Sequence, residues 1–166
     1  SMLRKLLMDG LVAAPGATRL KFKRPGRLVV SALRMLGAQT DGGAEVQDYL
    51  LRMGQHYFTW PTPDGYPDRS DAWLGNLMPR WLFAYALAHN NLNNTRIDLE
   101  GLLKPSQTQP AHNLLDTLST LLLGAPLEEP RRHAVLEALQ TTGMDSSATP
   151  SVLTAALLAA PDFQWY

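Results

Sequence analysis

An all-α fold is predicted for this 166-residue chain, an irregular bundle of about six or seven helices carrying one long aromatic and proline-rich loop. Three observations predict it. Apolar residues recur at helical spacing through most of the sequence. Proline and glycine mark the starts and stops of those apolar runs, with Pro79 the exception inside one. Between residues 55 and 69 the periodicity stops, and Trp60, Pro61, Pro63, Gly65, Tyr66 and Pro67 crowd into one segment. No strand pair and no internal repeat is expected.

Residues 1–8 read as the tail of a helix that begins upstream, and residues 9–18 as a loop rich in Gly, Pro and Ala. Leu20 and Phe22 then alternate with Arg19, Lys21 and Lys23, a short extended approach. Pro25 suits a helix's first turn, where no N–H is needed. Leu28, Val29, Ala32, Leu33 and Leu36 follow on one face, and Gly37 is placed to end the helix. Asp41-Gly42-Gly43 is a turn. Val46, Tyr49, Leu50 and Met53 make the next helical face, closed by Gly54.

After the aromatic loop, Ser70 or Asp71 is expected to cap a helix. Its broad apolar stripe is Trp73, Leu74, Leu77, Met78, Trp81, Leu82 and Tyr85, with Trp73 and Trp81 expected in the core. Pro79 removes the N–H that would bond the carbonyl of Gly75, which predicts a kink or break. Asn90 to Asn94 is a polar linker, and Ile97 to Leu103 a short helix. Lys104 to Gln109 reads as loop. Pro110 starts a helix with Leu114, Leu115, Leu118, Leu121 and Leu122 inward, ended by Gly124 and Pro126. Pro130 starts another through Val135, Ala138 and Leu139. Thr149-Pro150 caps and opens the last helix, which is expected to bury Val152, Leu153, Ala156 and Leu157 and to stop at Pro161.

This organisation predicts one helical domain over residues 19–166. Residues 1–18 form a partly flexible N-terminal segment of a chain read as a fragment, with Ser1-Met2 an addition before an internal start. Lys+Arg and Asp+Glu both number 15, and that zero balance argues against a nucleic-acid binder. No cysteine is present, so disulfides, thiol catalysis and cysteine-based zinc sites are excluded. No apolar run approaches the roughly 20 residues of a membrane span.

Candidate chemistry gathers at the loop. His56, Asp64 and Asp68 lie close in sequence, and hydrolytic catalysis needs a base or metal held by such groups. The plainer reading makes Asp64-Gly65 a turn and Asp71 a helix cap. Trp60 and Tyr66 are candidate ligand contacts, since such rings stack on sugars or seat apolar anchors. Arg69, which ends the loop, joins them. The plainer reading has these rings plugging the core. His89, His112 and His133 are scattered and lack the i, i+4 spacing of a helical metal site, so no metal and no cofactor is expected. Arg19, Lys21, Lys23, Arg24 and Arg27 form a basic cluster, read as a solvated charged edge rather than a phosphate contact. No Gly-x-Ser-x-Gly elbow, P-loop or Gly-x-Gly-x-x-Gly motif occurs.

Three stretches resemble the bacterial DUF1800 family. Phe22-Lys23-Arg24-Pro25, followed by Leu36-Gly37, matches its Phe-Lys-x-Pro opening. From Met53 to Ala84 the chain carries Gly54-Gln55 with Phe58, then Pro61 with Gly65-Tyr66-Pro67, then Trp73-Leu74, then Arg80-Trp81 with Phe83-Ala84. Pro161-Asp162-Phe163-Gln164 resembles the family's Pro-Glu/Asp-Phe-Gln close. Pro79 departs from the continuous helix usual there. The resemblance implies the C-terminal part of a longer, exported protein whose activity is uncharacterised. It also implies two partners: the missing N-terminal part of its own full-length chain, and a sulfatase-like DUF1501 protein encoded beside it. An interaction or structural module is the function expected. The alternatives are part of a hydrolase-like or carbohydrate-acting enzyme with a site near residues 55–71, and a glycan-binding module.

Overall fold

Proline governs where many of the chain's helices begin, because it needs no hydrogen-bond partner in a first turn. In a computed structural model that describes residues 21–103, 111–141 and 149–166, Pro25 opens α1 (Pro25–Met35). A two-residue strand, β1 (Gln39–Thr40), and α2 (Ala44–Arg52) follow. The aromatic loop leads to α3 (Asp71–Leu74) and α4 (Met78–Ala88). β2 (Thr95–Arg96), α5 (Leu99–Leu103), α6 (Ala111–Leu123), α7 (Glu129–Thr141), α8 (Pro150–Ala159) and α9 (Pro161–Gln164) complete the described residues. The expectations for residues 1–20, for the 104–109 loop and for Pro110 fall outside them.

The all-α class holds. The absence of a strand pair does not: β1 pairs antiparallel with β2, Gln39 opposite Arg96 and Thr40 opposite Thr95. The Thr40 and Thr95 hydroxyls lie 2.7 Å apart across it. Two residues per strand leave no periodicity to read, so sequence pattern had nothing to register.

α8 is the centre of the bundle. α4 packs along it more extensively than any other element, and α6 and α9 pack beside it. Leu153, Leu157 and Leu158 are buried there, whereas Val152 and Ala156 are only partly covered. Thr149 caps α8 by accepting a hydrogen bond from the Val152 N–H. Leu28, Val29, Ala32 and Leu36 of α1 enter the same core, as do Val46, Leu50 and Met53 and Leu114, Leu115, Leu118 and Leu122. Leu121, expected inward, is exposed, and so is Ala138. Asp116 of α6 accepts a forked 2.7 Å contact from Arg132 of α7, which fixes those two helices.

Gly37 and Gly26 are each required by geometry. Gly37 ends α1 with φ of 57°, a left-handed turn that a side chain would strain. At Gly26 an added Cβ would meet the Tyr57 hydroxyl at 2.8 Å, so the aromatic loop's first residues close directly over the start of α1. There the Gly26 N–H donates to Gln55 Oε1 at 2.7 Å.

Pro79 produces the break expected of it. α3 stops at Leu74, and α4 restarts at Met78 with the proline in its first turn. The expected inward stripe is overturned. Of its seven residues only Trp73 is buried; Leu74, Met78, Trp81, Leu82 and Tyr85 are exposed, Trp81 by 44%. The face of α4 that turns inward is instead Arg80, Phe83, Ala84 and Leu87. Both sets have i, i+3, i+4, i+7 spacing, so periodicity fits either choice equally. Ser70 occupies the cap position of α3 but makes no cap bond, because its Oγ accepts the Phe22 N–H instead.

Candidate functional site

The aromatic loop is tied down by its own polar groups. The Tyr66 hydroxyl donates to the His56 carbonyl and lies 3.0 Å from Thr59 Oγ1. The Trp73 indole N–H donates to the Pro67 carbonyl at 3.0 Å. Tyr66 therefore sits between two tryptophans, its ring centroid 4.6 Å from Trp60 and 6.0 Å from Trp73. This ladder runs from the buried Trp73 to Trp60, which is 39% exposed. The Trp60 and Tyr66 planes are inclined by 46°, so the pair forms no flat platform. Phe58, named in the sequence only for the family resemblance and not as a ligand contact, is fully exposed and holds φ of 61°. A left-handed backbone at a non-glycine residue costs about 1 kcal/mol or more.

The acidic candidates are occupied. Asp64 accepts from the Thr62 hydroxyl and Asp68 pairs with Lys21 at 2.6 Å. The hydrogen bond from Thr62, and secondarily the Asp64 amide, holds the Asp64 carboxyl below its ordinary range. Lys21 does the same for Asp68. Both are thus weaker bases than an average carboxylate, the opposite of what proton abstraction near neutral pH favours. His56 contributes its carbonyl to the loop's bonding. Arg69 is turned to Asp71 at 3.5 Å, both groups solvent-exposed. The structure thus joins His56 to Tyr66 and Tyr66 to Trp60. Asp68 it directs to Lys21. Among the described residues no group of three or more His, Asp or Glu side chains is placed to hold a metal.

Trp60 should respond to these surroundings as an exposed ring. A Trp60→Phe variant is expected to lose a disproportionate share of the acrylamide-quenchable tryptophan emission. Equal quenching before and after substitution would place Trp60 in a shielded position.

The densest polar arrangement lies elsewhere, under the start of α1. Phe22 bridges Trp165, and Lys21 exchanges backbone hydrogen bonds with Tyr166 at 2.9 and 3.0 Å. The Lys23 N–H donates to the Gln164 carbonyl at 2.7 Å. Between these two chain segments lies Arg80 from the first turn of α4, only 1% exposed. Its guanidinium donates to Gln164 Oε1 at 3.0 Å and to the Lys23 carbonyl at 2.8 Å, and it covers the Phe22 ring at 4.3 Å. Gln164 in turn donates to the Leu158 carbonyl. Burial pushes the Arg80 pKa down to about 10, so it stays charged at neutral pH.

Three separated sequence stretches meet in this knot: Phe22-Lys23, Arg80, and Phe163-Gln164. They are the pieces on which the resemblance rested. A family model described as "Protein of unknown function (DUF1800)" matches residues 1–165. The chain belongs to the DUF1800 family. No curated protein and no solved structure matches it. In this DUF1800 chain Phe22, Lys23, Arg80, Phe163 and Gln164 hold the described N-terminal segment against the C-terminal one through a buried cation.

A second feature of this chain is the outer face of α4. Met78, Trp81, Leu82 and Tyr85 are all exposed, and Leu74 of α3 extends the row. Tyr85 stacks on His89 with centroids 4.1 Å apart. From Ala72 to Thr95 the only Lys, Arg, Asp or Glu is Arg80, and it points inward. The open face therefore carries no formal charge apart from any proton on His89.

Proposed function

We propose that this domain is an interaction or structural module, the helical C-terminal part of an exported bacterial protein, and that the outer face of α3 and α4 is its contact surface. One observation carries the reading. α4 is apolar on both sides, and only the side bearing Phe83, Ala84 and Leu87 is covered. A helix apolar all round is stable when buried all round. Side chains of this class cover about 150–250 Å² when fully buried. Five of them half open expose on the order of 400 Å², the scale at which an apolar patch signals a contact.

The occupant is further polypeptide of the same full-length protein. The position of Lys21 supports that choice. Lys21 pairs with Asp68 and the Phe22 N–H bonds Ser70, so Lys21 and Phe22 lie beside the first turn of α3, where the apolar row begins. A DUF1501-like protein is the second occupant to test. The enzyme reading draws no support from Asp64 and Asp68, whose hydrogen bonds weaken them as bases. The glycan reading draws none from the tilted Trp60 and Tyr66 rings.

A photo-crosslinking amino acid placed at Tyr85 of the full-length protein tests the proposal. Crosslinked peptides joining residue 85 to upstream segments of the same chain are expected. Failure to crosslink any polypeptide, with the probe intact, would mean that the face stays in water.

A further inference from the structure

The outer face of α3 and α4 offers a partner's backbone almost nothing to hydrogen-bond. Its row is Leu74, Met78, Trp81, Leu82 and Tyr85. Apart from the weakly accepting Met78 sulfur, the polar side-chain atoms of that row are the Trp81 indole N–H and the Tyr85 hydroxyl. Between its first and last turns, α4 uses its own N–H and C=O groups within the helix. An extended segment laid on this row would bring one N–H and one C=O per residue, with no backbone partner to meet them. A helix brings no such demand, because it closes its own backbone hydrogen bonds.

The spacing of the row agrees. Met78, Trp81, Leu82 and Tyr85 stand at i, i+3, i+4 and i+7 of α4, the pattern by which one helix presents a side to another. The opposite side of α4 already packs along a helix, α8. Charge sets the composition of what covers the row. From Ala72 to Thr95 the sequence holds no Lys, Asp or Glu, and its one Arg, Arg80, is buried on the other side. A charged side chain in a facing seam would lose its water and gain no counter-charge. Area decides between a tethered and a separate occupant. The face exposes on the order of 400 Å², about half of the roughly 800 Å² that each partner buries in a standard complex of separate molecules. A second copy of the chain, meeting through this face alone, falls short on that count. A segment of the same polypeptide loses far less freedom on docking, so a smaller face holds it.

We propose that the outer face of α3 and α4 is covered by an amphipathic α-helix of the longer polypeptide, one whose facing seam is apolar and uncharged. This helix presupposes the reading of that face as the domain's contact surface, and it gives the occupant a conformation and a composition. α4 then becomes an inner helix, packed on α8 from one side and on the added helix from the other.

Photo-crosslinking amino acids placed at Met78 and, separately, at Tyr85 of the longer protein read the occupant's conformation. The two positions are seven residues apart on α4, about 10 Å along its axis. A helix crossing α4 at about 20–50° should receive the two crosslinks at residues about four to seven apart. An extended segment, rising about 3.3 Å per residue, would receive them about three or fewer apart. The helical spacing is expected, within the same polypeptide, with no Lys, Arg, Asp or Glu at the crosslinked residues. The extended spacing, or a charged residue at both crosslinks, would overturn the helix while leaving the face a contact surface. Crosslinks confined to another molecule would overturn the tether. The absence of any crosslink from either position, with the probes intact, would remove the contact surface itself and the helix with it.

Discussion

Replacing Arg80 with alanine is expected to lower the unfolding free energy by about 3–5 kcal/mol, a large fraction of an ordinary domain's stability. The reasons are local. Among the described residues the guanidinium is the only side-chain donor to Gln164 Oε1, and it also serves the Lys23 carbonyl. A buried acceptor left without a donor costs about 1–3 kcal/mol. Truncation also empties the space beside the Phe22 ring, and such cavities add to the loss. Arg80→Met separates the two contributions. It keeps the apolar stem and removes a buried charge that has no carboxylate partner, so its cost should be smaller, about 1–2 kcal/mol. Urea unfolding followed by tryptophan emission measures both. A loss below about 1 kcal/mol for the alanine variant would mean that the cation does not clamp the two segments.

Adjacent substitutions on α4 should give opposite results. Phe83→Ala is expected to destabilise by about 3–5 kcal/mol, because Phe83 is fully buried and packs edge-on against Tyr49 at 5.5 Å. Leu82→Asp, one residue away, is expected to change stability by no more than about 0.5 kcal/mol in this chain. Its effect should appear instead as lost contact with whatever covers the face. Thermal unfolding of the two variants side by side decides the helix's phase. A collapse of the Leu82→Asp variant, with Phe83→Ala tolerated, would reverse which side faces the core.

Much of the bundle was legible in the sequence because helix starts and stops are local chemistry. Pro25, Gly37, Thr149 and Pro150 mark boundaries through backbone requirements that any fold must meet. The phase of α4 was not legible. Met78, Trp81, Leu82 and Tyr85 form the more apolar of two equally spaced rows, and burial preference alone selects it. The inward row is led by Arg80, a residue seldom buried without a carboxylate. Its burial depends on Gln164 and on the Lys23 carbonyl, 84 and 57 residues away. No local pattern reports such contacts. Lys23 was misjudged in the same way: in sequence it reads as one of several solvated cations, yet the folding of Phe163 beneath it takes it out of water.

The aromatic loop was placed correctly and its rings divided as burial allows. Trp73 is core, Tyr66 is half-buried and Trp60 is exposed. The exposure of Phe58 was not foreseen because nothing in the sequence signals its left-handed backbone. Asp64 and Asp68 were near one another in sequence, but each took the nearest available hydroxyl or ammonium partner.

The proposed contact surface is tested most directly by the accessibility of Trp81. Acrylamide quenching is compared between wild type and Trp81→Phe, first in this chain and then in the longer protein of which we propose it is the C-terminal part. In this chain Trp81 should be readily quenched, as its 44% exposure requires. In the longer protein it should be shielded, with a blue-shifted emission contribution. Equal quenching of Trp81 in both would contradict the account, since the outer face of α4 would then meet nothing but water.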